Sequence, residues 1–176
     1  VIFLLLLWNY LKHKNNEKNV IFKKKVSKYL LSFFMISLML QISLGAFVSG
    51  LDAGKIYQTW PLMSQSYFPD DSNFRDLLSL EVFHTPSLVQ FIHRNLAYFI
   101  IFLFSIIGSI IFINKDFSYL RRITMCVFIL LFLQIFLGIL TVLTGAQIFF
   151  ASTHQLGSIL LISATLILIY KNSRAN

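Results

Sequence analysis

The sequence predicts an all-α membrane protein: a four-helix transmembrane bundle of two pseudo-twofold related hairpins, preceded by the end of another helix. Three observations carry this reading. The chain of 176 residues is 57% hydrophobic and only 12% charged, with a mean hydropathy of +0.74, far more apolar than an ordinary soluble domain. Its charges fall in short segments between uncharged runs of about 20 residues, the length needed to cross a bilayer. A hexapeptide within one run recurs within another.

The elements follow in order. Residues 1–11, Val1 to Leu11, are apolar but too short to span and have no basic region before them, so they read as the end of a truncated helix rather than a signal peptide. Residues 12–28 form a basic loop. Tyr29 to Leu51 is a full span, and residues 52–87 form the one long loop. A second span begins near Leu88 and continues to Asn114. From Ile123 to Tyr170 there is no Asp, Glu, Lys or Arg, a run too long for one helix and right for two. Their turn belongs at Thr144 to Gln147, where Gly145 supplies a permissive backbone. Residues 29–170 thus make the bundle, and 171–176 a short tail.

Charge sets the orientation. Residues 12–28 hold seven Lys and Arg, residues 115–122 three, and the tail two, whereas the opposite side holds only Lys55, Arg75 and Arg94. By the positive-inside rule the basic loops and the C-terminus lie inside and the 52–87 loop outside. The net charge of +8 and pI near 9.8 therefore report topology and give no reason to invoke nucleic acid. The single cysteine, Cys126, excludes an intrachain disulfide and makes a thiolate metal site a poor reading.

The repeat is Leu40-Gln41-Ile42-Ser43-Leu44-Gly45 against Leu133-Gln134-Ile135-Phe136-Leu137-Gly138, identical at five of six positions. The same frame pairs Ala53 with Ala146. Both copies sit on inside-to-outside helices, so the hairpins are expected to be related by an axis along the membrane normal.

The return helix of each hairpin carries one histidine near its outer end, His93 and His154. Each lies four or five residues below the expected mouth, about 6 to 8 Å at 1.5 Å per residue. Two opposed imidazoles in an apolar bundle suit axial ligation of a haem iron, and ionisable groups within a membrane are functional by default. Hydrogen-bonded structure is the bland alternative, and zinc fits less well because its sites usually draw on more ligands. Gly45, Ser49, Gly138, Thr141, Gly157 and Ser158 would let a flat ring approach the backbone. Arg94 and Lys55 lie at the mouth, where anionic propionates would be favoured. His84 and His13 read as solvated loop residues. The loop segment Tyr57 to Met63, with Trp60 and Pro61, suits an interfacial cap.

Three stretches resemble the haem A synthase family: Gly45 to Gly54 with the following Tyr57 to Met63, then Val89 to Arg94, then Thr153-His154-Gln155. That resemblance implies an inner-membrane protein, bacterial or mitochondrial, of eight spans in two four-helix halves. This chain would hold the end of the fourth span and the last four. It implies that His93 and His154 hold a b-type haem, while the other half receives haem O and carries the acidic catalytic residue. The implied activity is oxidation of the C8 methyl of haem O to a formyl group through successive hydroxylations, in haem A biosynthesis for cytochrome oxidase. No catalytic residue is assigned within this chain. The implied partners are haem O, the haem O synthase that supplies it, an unidentified electron donor and the bilayer, with association of copies left open. One departure is that His84 and Thr85 stand near the place where the family often has Glu-Asn. The alternatives are a bis-histidine cytochrome b that only transfers electrons, and a small transporter or scaffold without haem.

Overall fold

The computed structural model describes residues 2–14 and 24–174. It is all-helical, with no strand among the described residues. Helix α1 covers Ile2–Lys14, α2 Lys28–Gly50, α3 Pro86–Ile113, α4 Arg121–Leu143 and α5 Ile148–Ser173. The last four are long and apolar enough to cross a membrane; α2, at 23 residues, is about 35 Å long. Of the expected basic loop at 12–28, residues 15–23 lie outside the described residues. The expected tail is largely helical, since α5 runs on to Ser173.

Two boundaries differ from the sequence reading in an informative way. Helix α3 starts at Pro86, with proline in its first turn, where a missing N–H costs nothing and the fixed φ favours the helix. The start expected near Leu88 was therefore late. The Thr144 to Gln147 turn is as expected, with Gly145 at φ 63° and Ala146 at φ 61°.

Helix α2 packs chiefly on α3, and α4 on α5; α2 also meets α5, and α3 meets α4. This places α3 and α5, the histidine-bearing helices, on one diagonal of the bundle. The buried stripes show how far the repeat extends. On α2, Leu31, Phe34 and Leu38 are buried; in the register that pairs Gln41 with Gln134 they become Thr124, Val127 and Leu131, all buried on α4. On α3, Ile100, Leu103, Phe104, Ile107 and Ile111 are buried; in the register that pairs His93 with His154 they become Leu161, Ala164, Thr165, Leu168 and Asn172, all buried on α5. Even the helix exits agree. Leu51 (φ −96°, ψ 6°) and Thr144 (φ −97°, ψ 9°) cap α2 and α4 with matching backbone bonds to Phe47 and Leu140.

The apolar core occupies the half of the bundle that holds the end of α5, termed the inner half after the orientation expected from the charges. Phe34 stacks on Phe104 at 4.7 Å, Phe128 meets Phe104 edge-on at 4.7 Å, and the Phe128 ring fills the space left by Gly108. Around them lie Leu31, Leu38, Ile107, Leu120, Val127, Leu131 and Leu168. The outer half differs in kind: α2 buries no residue beyond Leu38, and α5 none before Leu161.

At the inner end Asn172 closes the bundle. Its side chain accepts from the Val26 N–H at 2.8 Å and donates to the Val26 carbonyl at 3.0 Å, satisfying two main-chain groups where the chain enters α2. Tyr119 donates to the Lys24 carbonyl at 3.1 Å, and Lys24 pairs with Asp116 at 2.9 Å.

Two outcomes test this fold. Asn172→Ala strands a buried N–H and C=O and should lower stability in detergent by about 2 kcal/mol, measured as a shift in thermal unfolding. In a Cys126→Ser background, cysteines at Gln65 and Ser118, both exposed, should react with an impermeant thiol reagent from opposite faces of the membrane. Reaction of both from one face contradicts the helix count.

Candidate functional site

His93 stands seven residues after Pro86, and His154 six after Ile148. Both rings are thus about 10 Å along their helices, deeper than expected, for His93 because α3 starts earlier. Each also stands two turns before the first deeply buried residue of its helix, Ile100 or Leu161, so both rings continue the inward-facing stripes. The two imidazoles lie within electrostatic range of one another.

Each ring rests on a glycine of its own hairpin. A Cβ added at Gly45 would meet His93 Cε1 at 3.4 Å, and one added at Gly138 would meet His154 Cε1 at 3.2 Å. The gaps foreseen for a flat cofactor are thus partly taken up by the imidazoles themselves. Gln41, one turn before Gly45, donates from Nε2 to the His93 carbonyl at 3.0 Å and lies 3.2 Å from His93 Nε2. Gln134, its repeat equivalent, lies against Gly157 instead. The Nδ1 atoms of both histidines are buried without a strict hydrogen-bond partner, although the main chain of Gln41 acts on the His93 ring and that of Gln134 on His154.

Arg94 is buried and serves the outer loop. Its Nη2 donates to the Tyr57 carbonyl at 2.9 Å and its Nη1 reaches the Leu62 carbonyl at 3.4 Å, while Gln90 Nε2 donates to the Tyr57 carbonyl at 3.1 Å. Trp60 donates from its indole to the Tyr98 hydroxyl at 3.0 Å, and Tyr67 donates to Asn95 at 2.5 Å. Gln90, Arg94, Asn95 and Tyr98 therefore form one polar edge of α3 on which the loop is docked. Burial, and then the carboxylate of Asp71, push the Tyr57 phenol above its usual value. Lys55 is exposed at the mouth and pairs with Asp52 at 2.8 Å. His84 and His13 are exposed, and Cys126 is a free, exposed thiol on the outside of α4.

Among the described residues, no three or more His, Cys, Asp or Glu side chains gather as a metal site. A pair of imidazoles suits instead a metal that brings most of its ligands with it, as haem iron does with four porphyrin nitrogens. Two orphaned ring nitrogens, a bare glycine beside each ring and outer stretches of α2 and α5 that bury no residue fit such a group.

A family model described as "Cytochrome oxidase assembly protein" matches residues 1–166. The chain belongs to that family. It is also similar to relatives named haem A synthase. The one from Pelagibacter ubique is 42% identical over 172 residues, covering 98% of this chain and 49% of its own. That from Wolbachia pipientis is 34% identical over 169 residues, covering 94% and 46%. That from Rickettsia africae is 40% identical over 125 residues, covering 70% and 36%. The chain thus spans about half, or less, of the length of these curated relatives. No solved structure matches it.

Sequence reasoning found the histidines and the glycines but missed the contacts of Gln41 and the docking role of Gln90 and Arg94. The signals were present: Gln41 recurs in the repeat, and Gln90 and Arg94 lie one turn apart.

The unequal clearances beside the two rings lead to a test. Gly45→Ala places its methyl group in ordinary contact, whereas Gly138→Ala forces His154 to move by a few tenths of an ångström. The second variant should be the less stable by about 1 kcal/mol, read from paired melting curves in detergent. Equal or reversed stabilities contradict the contact geometry.

Proposed function

We propose that this chain is the haem-carrying half of a haem A synthase, holding a b-type haem between His93 and His154 in a bacterial or mitochondrial inner membrane with its C-terminus inside. The observation that carries the reading is the equivalence of the two histidines: same register on diagonal helices, same glycine partner in each hairpin, same buried and unpartnered Nδ1. Relatives named haem A synthase, matching nearly the whole chain, supply the reaction. In that reading haem O is oxidised at its C8 methyl to the formyl group of haem A.

A bound b haem supplies one-electron transfer. The chain's own residues would do the rest. His93 and His154 present ring nitrogens from opposite helices, and Gly45 and Gly138 admit the rings close to the helix backbones. Arg94 and Gln90 hold the Tyr57 to Leu62 segment over the outer end, which restricts water. Lys55, exposed and paired only with exposed Asp52 among the contacts described, is the cation best able to exchange its partner for a propionate; Arg94 retains an unpartnered Nε. Among the described residues every acid lies outside the four long helices, so this half is assigned cofactor binding and not methyl oxidation. That chemistry, with haem O, an electron donor and a haem O synthase as partners, belongs to the complete protein.

The test uses the complete protein. His93→Ala and His154→Ala should each abolish the six-coordinate low-spin b-type spectrum, since one remaining imidazole leaves an axial position open. Unchanged low-spin haem content in both variants overturns the ligand assignment.

A further inference from the structure

We propose that Gln41 is a positioning residue for His93, fixing that imidazole in the tautomer whose Nε2 offers a lone pair, and that Gln134 provides no such hold on His154. The two ligands of the proposed haem are then held unequally. The inference rests on the haem reading above.

The atom that decides the orientation of Gln41 can only accept. Gln41 Nε2 lies 3.0 Å from the His93 carbonyl oxygen. A carbonyl has no proton to give, so the group facing it is the amide NH2 and not the amide oxygen. The same nitrogen lies 3.2 Å from His93 Nε2. With one N–H directed to the carbonyl, the second is directed to the ring, and Nε2 must accept it. The ring proton then resides on Nδ1. That is the neutral form in which Nε2 is available to a metal, and the partner of a histidine is what selects its tautomer. Gln41 thus occupies the lone pair that an iron would take. Its own Oε1 is buried without a partner, so the amide keeps both donor contacts at the expense of its acceptor.

Gln134 begins from the same place in the repeat and ends differently. The residue three positions after His154 is Gly157, whereas three after His93 is Leu96. A bare glycine opens space on α5, and the Gln134 amide lies in it, against Gly157. There its Nε2 is buried with no partner. One substitution between the repeats, Leu96 against Gly157, accounts for the different destination of two equivalent amides. His93 is therefore preset by a side chain as well as by the main chain, while His154 has only the Gln134 main chain acting on its ring.

The experiment compares Gln41→Leu with Gln134→Leu in the complete protein, leucine being close in volume, apolar and without donors. Haemin is titrated into haem-depleted protein, and the ferric low-spin g values are read by electron paramagnetic resonance, which reports imidazole orientation. Gln41→Leu removes a donor that iron must displace from His93 Nε2, so it should tighten haem binding by about fivefold, the worth of one neutral hydrogen bond, and, with the hold on the ring gone, should shift the g values. Gln134→Leu should leave both close to wild type. Gln41→Asn keeps the donors but is one methylene too short to reach His93, and should behave as the leucine variant does. Wild-type affinity and g values in either Gln41 variant overturn the proposal, as does an equal effect of Gln134→Leu. If the unsubstituted protein shows no low-spin haem sensitive to His93→Ala, the haem reading itself fails, an outcome visible before any glutamine is changed.

Discussion

The outer half of this bundle depends on one constraint: a polar ring can approach a membrane helix closely only where that helix lacks a side chain. The backbone of a spanning helix satisfies its own hydrogen bonds, so it offers an incoming imidazole a flat surface rather than a partner. Gly45 and Gly138 supply that surface, at contact distances that leave no room to spare at the second site. The spacing of α2 from α3, and of α4 from α5, is set there by the rings. Toward the inner end it is set by Phe34, Phe104 and Phe128.

Arg94 shows how a charge acquires a meaning that its position alone does not reveal. Next to a histidine, near the mouth of a membrane helix, it reads as a partner for an anion. In the structure both of its terminal nitrogens reach carbonyls of the outer loop, because a loop with few regular bonds of its own has main-chain acceptors to satisfy. Such use of a guanidinium is costly in desolvation and sensible only if the loop must stay where it is. The neighbouring polar residues Gln90, Asn95 and Tyr98 serve the same loop, so the edge of α3 works as a unit.

The spans were legible in the sequence because a bilayer dictates their length and charged segments punctuate them. The start of α3 was displaced by two residues because hydropathy fades at a mouth, whereas Pro86 marks the turn by its backbone chemistry. The repeat was legible over six residues only. Its full extent was hidden because packing tolerates exchange of shape: Phe34 corresponds to Val127, Leu31 to Thr124 and Phe104 to Thr165, pairs that share burial and little else. The histidines were legible from their matched positions. The partners of Gln41 were not, since a glutamine has three rotatable bonds and its neighbours are decided by tertiary contacts such as the space at Gly157.

The inner half is close-packed and apolar, while the outer half carries the histidines and almost no deeply buried hydrocarbon on α2 or α5. Cohesion and chemistry are therefore written in different stretches of the same helices. The inner half acts as a keel: it holds α3 and α5 in register from below, and its residues can drift in size, as the two hairpins have done with respect to each other, without disturbing the depth of either imidazole. A group that bound between the imidazoles would meet helices already aligned by contacts that it does not touch.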